Sequence, residues 1–103
     1  MDGGVGRILV VADKYNSTLF RSAGLTVVEA DSQEKVVEEV RFAFQRRRDI
    51  ALIIVLKHLV EDEDSLRKAL ESLGVPLLVL PTRWAKAEPI NVEKLLAKAL
   101  GFG

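Results

Sequence analysis

Three side chains capable of chemistry stand directly after runs of aliphatic residues: Asp13 after Arg7–Ala12, and Lys57 and His58 after Ile50–Leu56. Thr82 follows a third run, Val75–Leu80, and Pro81. In a parallel sheet the ends of such strands are where ligands sit. A carboxylate, an ammonium, an imidazole and a hydroxyl gathered there could hold an anion or a metal ion, or move a proton. The most specific version would be a phosphoacceptor receiver domain, which holds Mg²⁺ with an acidic cluster after the first strand and phosphorylates an aspartate ending the third. Asp13 alone follows the first run, and the third strand ends Val55-Leu56-Lys57 without a carboxylate. Phosphoacceptance is therefore rejected, and Asp13 reads as a loop or capping residue.

His58, the single histidine, would need an orienting partner and a nucleophile to act as a general base. Its acidic sequence neighbours are Glu61, Asp62 and Asp64, and a surface contact beside them is the expected role. Gly3, Gly4 and Gly6 precede a strand, whereas phosphate-binding loops follow one and open a helix. They read as a flexible lead-in over Met1–Gly6. Arg46, Arg47 and Arg48 could touch phosphates but read as a solvated helix end. No catalytic residue, cofactor or metal ligand is expected.

Composition narrows the classes further. The chain has 103 residues, expected to form a single domain, and 49% of them are apolar. Lys+Arg and Asp+Glu stand at 15 each. This balance argues against a nucleic-acid footprint or a polybasic membrane patch. Without cysteine there is no disulfide, thiolate nucleophile or Cys-based metal site. No apolar run approaches the roughly 18 residues of a membrane span, and no signal-peptide pattern opens the chain. A cytoplasmic location is the expectation.

The elements that must position these residues are legible from periodicity. Arg7–Ala12 is β-branched and reads as a buried strand. Leu19, Phe20 and Ala23 follow at helical spacing, with Gly24 as a left-handed stop. A short strand spans Leu25–Ala30. Asp31 as N-cap, with Glu34 three residues on, starts a helix that runs to about Arg47. Its apolar stripe is Val36, Val37, Val40, Ala43 and Phe44.

Ile50–Leu56 is the third strand. Glu61–Asp64 open a helix whose buried face is Leu66, Leu70 and Leu73, ended by Gly74. Val75–Leu80 is the fourth strand. A loop over Thr82–Pro89 carries Trp84, placed either on an interface or over the sheet edge. A last helix over Ile90–Leu100, with Asn91 as its cap, has the stripe Val92, Leu95, Leu96, Ala99 and Leu100, and the tail adds Phe102. That stripe suits core packing or docking on a partner's coiled coil. The order β-α-β-α-β-α-β-α predicts an α/β fold: a four-stranded parallel sheet of flavodoxin- or receiver-like order 2-1-3-4, with a C-terminal helix.

The chain also resembles a family. Arg7–Asp13 is similar to the opening strand and acidic turn of the F subunit of the archaeal/vacuolar-type (A-type or V-type) ATP synthase. Thr18-Leu-Phe-Arg-Ser-Ala-Gly-Leu25 resembles its motif Thr-x-Gly-Phe-Arg-Leu-Ala-Gly, with Leu19 where the family usually has Gly and Ser22 where it has Leu. Lys14 and Tyr15 replace a more acidic turn. Asp49–Val55 and Val75–Pro81 are similar to its third and fourth strands, and Ala97–Phe102 to its closing helix.

The resemblance implies a non-catalytic component of the central rotor stalk, peripheral to the membrane. Its implied partners are the coiled-coil D subunit and, through a mobile segment at about 91–103, the A and B subunits of the catalytic head. The resemblance further implies coupling of ATP synthesis or hydrolysis to proton or other ion transport, with modulation of ATPase activity. Trp84, Leu96, Leu100 and Phe102 are the candidate interface residues. Two other classes remain as alternatives: a stand-alone receiver-like or small-ligand-binding regulatory domain, and a homodimeric adaptor joined through the terminal helix.

Overall fold

The computed structural model describes residues 6–81. At its centre lies β1 (Arg7–Ala12), in which Ile8 to Ala12 are all buried. A strand buried on both faces needs no polar alternation, which is why the sequence reads there as one aliphatic run. α1 (Lys14–Ser22), β2 (Thr26–Glu29), α2 (Gln33–Arg46) and β3 (Ile50–Leu56) follow. A 3₁₀ turn (Lys57–Leu59), α3 (Glu63–Leu70), a second 3₁₀ turn (Glu71–Leu73) and β4 (Leu77–Leu80) complete the described chain.

The strands form one parallel sheet in the order β2-β1-β3-β4, as the element order predicts. Val10 lies opposite Val27 on one side and Ile54 on the other. Right-handed crossovers set α1 on one face of the sheet and α2 and α3 on the opposite face. α2 and α3 are joined there by Arg41, whose Nη2 donates to the Ala69 carbonyl at 2.9 Å. Phe20 from α1, Val36 and Val40 from α2, and Leu66 from α3 are completely buried, as are Leu9, Ile53, Ile54 and Leu56 of the sheet, and all belong to one core. Each such side chain contributes roughly 1.5–3 kcal/mol of burial.

Several boundaries differ from expectation. The cap of α2 is Ser32, not Asp31. Ser32 has the extended backbone of a cap (φ −156°, ψ 163°), and its hydroxyl accepts from the Lys35 N–H at 3.2 Å. Glu34 therefore falls in the first turn, where it faces the positive end of the helix dipole without closing a capping box. β2 is shorter than Leu25–Ala30, because the Leu25 N–H donates to the Phe20 carbonyl and finishes α1 instead. β4 begins at Leu77. Pro76 has no N–H to give the ladder, although its carbonyl accepts from the Ile53 N–H at 3.0 Å. Gly24 and Gly74 hold φ of +84° and +71° and end their helical segments, the role their positions suggest. The loop over Thr82–Pro89 and the last helix lie outside the described residues.

Candidate functional site

Asp13 ends β1 and begins α1 without an intervening loop. Its backbone is extended (φ −75°, ψ 169°) while its side chain turns back over the first helical turn. Oδ2 accepts from the backbone N–H groups of Tyr15 at 3.0 Å and Asn16 at 3.1 Å. Oδ1 accepts from the Asn16 side-chain amide at 2.7 Å. His58 Nε2 lies 2.9 Å from the same oxygen. Burial works to raise the Asp13 pKa. The Asn16 side-chain and backbone hydrogen bonds, with the charge of His58, outweigh that and hold it below the ordinary carboxylate value.

His58 reaches this position because β1 and β3 are parallel neighbours, so their C-terminal ends emerge side by side. This is also the point where the crossovers diverge to opposite faces, the usual ligand crevice of an open α/β sheet. Here the crevice is bridged by the chain itself. Strand adjacency therefore gives His58 a contact with Asp13, which its sequence neighbours Glu61, Asp62 and Asp64 do not suggest. Those residues are organised from elsewhere: Gln33 Oε1, at the start of α2, accepts from the backbone N–H groups of Glu61 and Asp62 at 2.7 and 2.8 Å. Asp62 in turn caps α3 by accepting from the Ser65 N–H at 3.2 Å.

Lys57 and Pro81 are exposed at the same rim, and Thr82 lies outside the described residues. Among the described residues no group of three or more His, Cys, Asp or Glu side chains could hold a metal ion. Nor is any described helix long and apolar enough to cross a membrane.

A second polar cluster has no counterpart in the sequence reading. Ser17, almost fully buried on α1, places its hydroxyl 2.8 Å from Glu29 Oε2 on β2 and 2.9 Å from the Lys14 carbonyl. Arg21 Nη1 donates to the same carboxylate oxygen at 3.2 Å and to Ser17 Oγ at 3.3 Å. The Ser17 hydroxyl, followed by Arg21, lowers the Glu29 pKa.

The stretch Thr18–Leu25 thus acquires a physical meaning. Phe20 fills the core, Arg21 ties α1 to β2, and Gly24 supplies the left-handed turn. Leu19 and Ser22 are exposed, and Ser22 donates back to the Thr18 carbonyl at 2.9 Å. The two positions that depart from the motif therefore leave the core untouched.

The stretch also lies within a match to a known family. The family described as ATP synthase (F/14-kDa) subunit matches residues 8–96. The chain belongs to that family. No curated protein matches it significantly. As an ATP synthase F/14-kDa-type subunit it works as one component of a larger complex, so its surfaces matter as much as its rim. Trp84 and Leu96 fall within the matched span, and Leu100 and Phe102 beyond it, but all four candidate interface residues lie outside the described residues.

The described surface has its own exposed apolar side chains: Tyr15 and Leu19, one turn apart on α1, and Phe42 on α2. Arg46 stacks over the Phe42 ring, 5.5 Å from its centroid. Arg46, Arg47 and Arg48 are all exposed, the solvated helix end expected of them, and Arg46 in addition has a ring to lie on.

Proposed function

We propose that this chain is a non-catalytic component of the central rotor stalk of an archaeal/vacuolar-type ATP synthase. On this reading it binds the coiled-coil D subunit and helps couple ATP synthesis or hydrolysis in the A/B head to ion transport through the membrane sector. The observation that carries the reading is the family match across residues 8–96.

The geometry of the rim supports its non-catalytic part. Both oxygens of Asp13 are engaged by Tyr15, Asn16 and His58, and β3 leads into Lys57 where a phosphoacceptor would need a carboxylate. The segment 91–103, with Leu96, Leu100 and Phe102, is proposed to reach the A and B subunits and modulate ATP hydrolysis, and Trp84 to border the stalk contact.

Co-purification tests the reading. Tagged protein co-expressed with the D subunit should retain it at micromolar affinity or tighter. The isolated chain should hydrolyse no ATP. Failure to retain the coiled-coil partner, or ATP turnover by the isolated chain, would remove the stalk assignment. Removal of residues 91–103 should reduce coupling or regulation in the reconstituted complex while the D subunit remains bound.

A further inference from the structure

The outer edge of the sheet differs in character from its centre. Among the described residues β2 has one ladder partner, β1, and its Thr26, Val27 and Val28 are only half-buried. α2 runs alongside and presents Glu39, Phe42, Ala43 and Arg46 at i, i+3, i+4 and i+7, a continuous ridge down one side of a helix. Between edge strand and ridge lies a groove of about 280 Å³, lined by Thr26, Val27, Val28, Phe42, Ala43, Arg46 and Arg47, with Glu39 as its one carboxylate.

Phe42 is 53% exposed at its margin, whereas Phe20 on α1 is wholly covered. Arg46 and Arg47 line one end of the groove, and Arg48 follows them in the chain. None of them forms an ion pair with another described residue, although the chain as a whole is neutral. Two arginines against one glutamate, beside an exposed ring, are the composition of a binding anchor rather than of an inert surface.

We infer that this groove is a docking surface for a helix of the stalk partner, one whose apolar stripe is bordered by aspartate or glutamate. The inference rests on the stalk reading for the partner and on the groove for the place and the chemistry. The apolar floor takes aliphatic side chains of the incoming helix, which packs against the α2 ridge. Arg46 and Arg47 meet its carboxylates in the bidentate geometry that guanidinium groups favour. A helix fits better than an added strand, because β2 is only four residues long whereas the α2 ridge extends over two turns. The exposed Tyr15–Leu19 pair lies on the opposite face of the sheet and serves as an internal control.

The test uses the full chain with the purified D subunit and measures Kd by calorimetry at low and at physiological salt. Phe42→Glu places a charge on an already exposed site, and Arg46→Glu/Arg47→Glu reverses the charge at the groove end. Circular dichroism confirms that each variant folds. Each should weaken binding at least tenfold, and the double arginine variant should also lose most of the salt dependence. Tyr15→Ser/Leu19→Ser should stay within twofold of the parent.

If the parent binds the coiled coil and the groove variants bind as well as it does, the groove is overturned while the stalk reading stands. Loss confined to the Tyr15/Leu19 variant has the same meaning and moves the interface to α1. If the parent fails to bind the coiled coil at all, the stalk reading fails and the groove's assigned partner falls with it. An anionic phosphatidylserine vesicle is included as a probe. Binding there, lost in the arginine variant and accompanied by no effect of that variant on the coiled coil, overturns the protein-helix assignment.

Discussion

His58 Nε2 stands 2.9 Å from Asp13 Oδ1, across the gap between the ends of β1 and β3. Two residues 45 positions apart in sequence close the crevice in which open α/β sheets hold their ligands. The same carboxylate caps α1, so one side chain fixes both a helix start and the contact between two crossovers.

Asp13→Ala should therefore cost about 1–2 kcal/mol, combining the loss of a helix cap with the loss of the His58 contact. Urea denaturation at neutral pH checks the value. His58→Ala leaves the cap intact and should cost less than half as much.

Acid should act through the same group. The folded pKa of Asp13 is depressed, so its contribution is complete above the unfolded value near pH 4 and disappears as pH falls through the folded value. Glu29, lowered by Ser17 and Arg21, adds to the same limb. Asp13→Asn should flatten the decline of stability below about pH 4, read as unfolding free energy from about pH 2 to pH 6.

Nucleotides and anions should leave the protein's melting temperature unchanged. ATP, ADP and inorganic phosphate with Mg²⁺, at millimolar concentration, are the probes. A ligand at a hundred times its Kd would stabilise by about 2.7 kcal/mol, well above detection. A stabilisation abolished by Asp13→Ala would instead establish a ligand site at the rim.

Two glycines should respond to alanine for different reasons. At Gly24 a Cβ meets nothing, and the cost of about 1 kcal/mol comes from φ of +84° alone. At Gly6 a Cβ would overlap the Ala51 Cβ and come within 2.8 Å of the Asp49 carbonyl, so Gly6→Ala should cost about 1–3 kcal/mol by displacing β1 from β3. Ala51→Gly in the same chain should recover part of that loss but none of the Gly24 cost, measured by thermal denaturation.

Gln33→Ala should free the Glu61 and Asp62 N–H groups to water, costing about 1 kcal/mol. Hydrogen exchange at these two amides should accelerate while β1 and β3 amides keep their protection.

The strand order is readable because β1 after Arg7, β3 and β4 are aliphatic runs, β2 holds the Val27-Val28 pair, and each connection is long enough for a crossover helix. Helical spacing alone places Phe20, Val40 and Leu66 in the core. Boundaries depart from expectation where a local competitor decides them. Ser32 displaces Asp31 as a cap because its hydroxyl is the one that reaches the Lys35 N–H, and Pro76 delays β4 by lacking a donor. The His58–Asp13 contact is hidden because sequence proximity points to Glu61, Asp62 and Asp64, whereas strand adjacency brings Asp13. The stacking of Arg46 on Phe42 is legible in principle, since a ring four residues before an arginine on a helix lies within its reach. The Ser17–Glu29 bond carries no such signal, because it depends on how α1 lies against β2.

The register of the sheet also bears on how the chain is made. Arg7 pairs with Ile50, so β1 emerges during synthesis some forty residues before its main partner exists. Until β3 has left the ribosome, β1 has only β2 beside it in the sheet, with α1 and α2 to cover its faces. A nascent chain halted before Leu56 therefore leaves one edge of β1 unpaired and the core unfinished, and chaperone binding should peak in that interval and fall once β3 arrives.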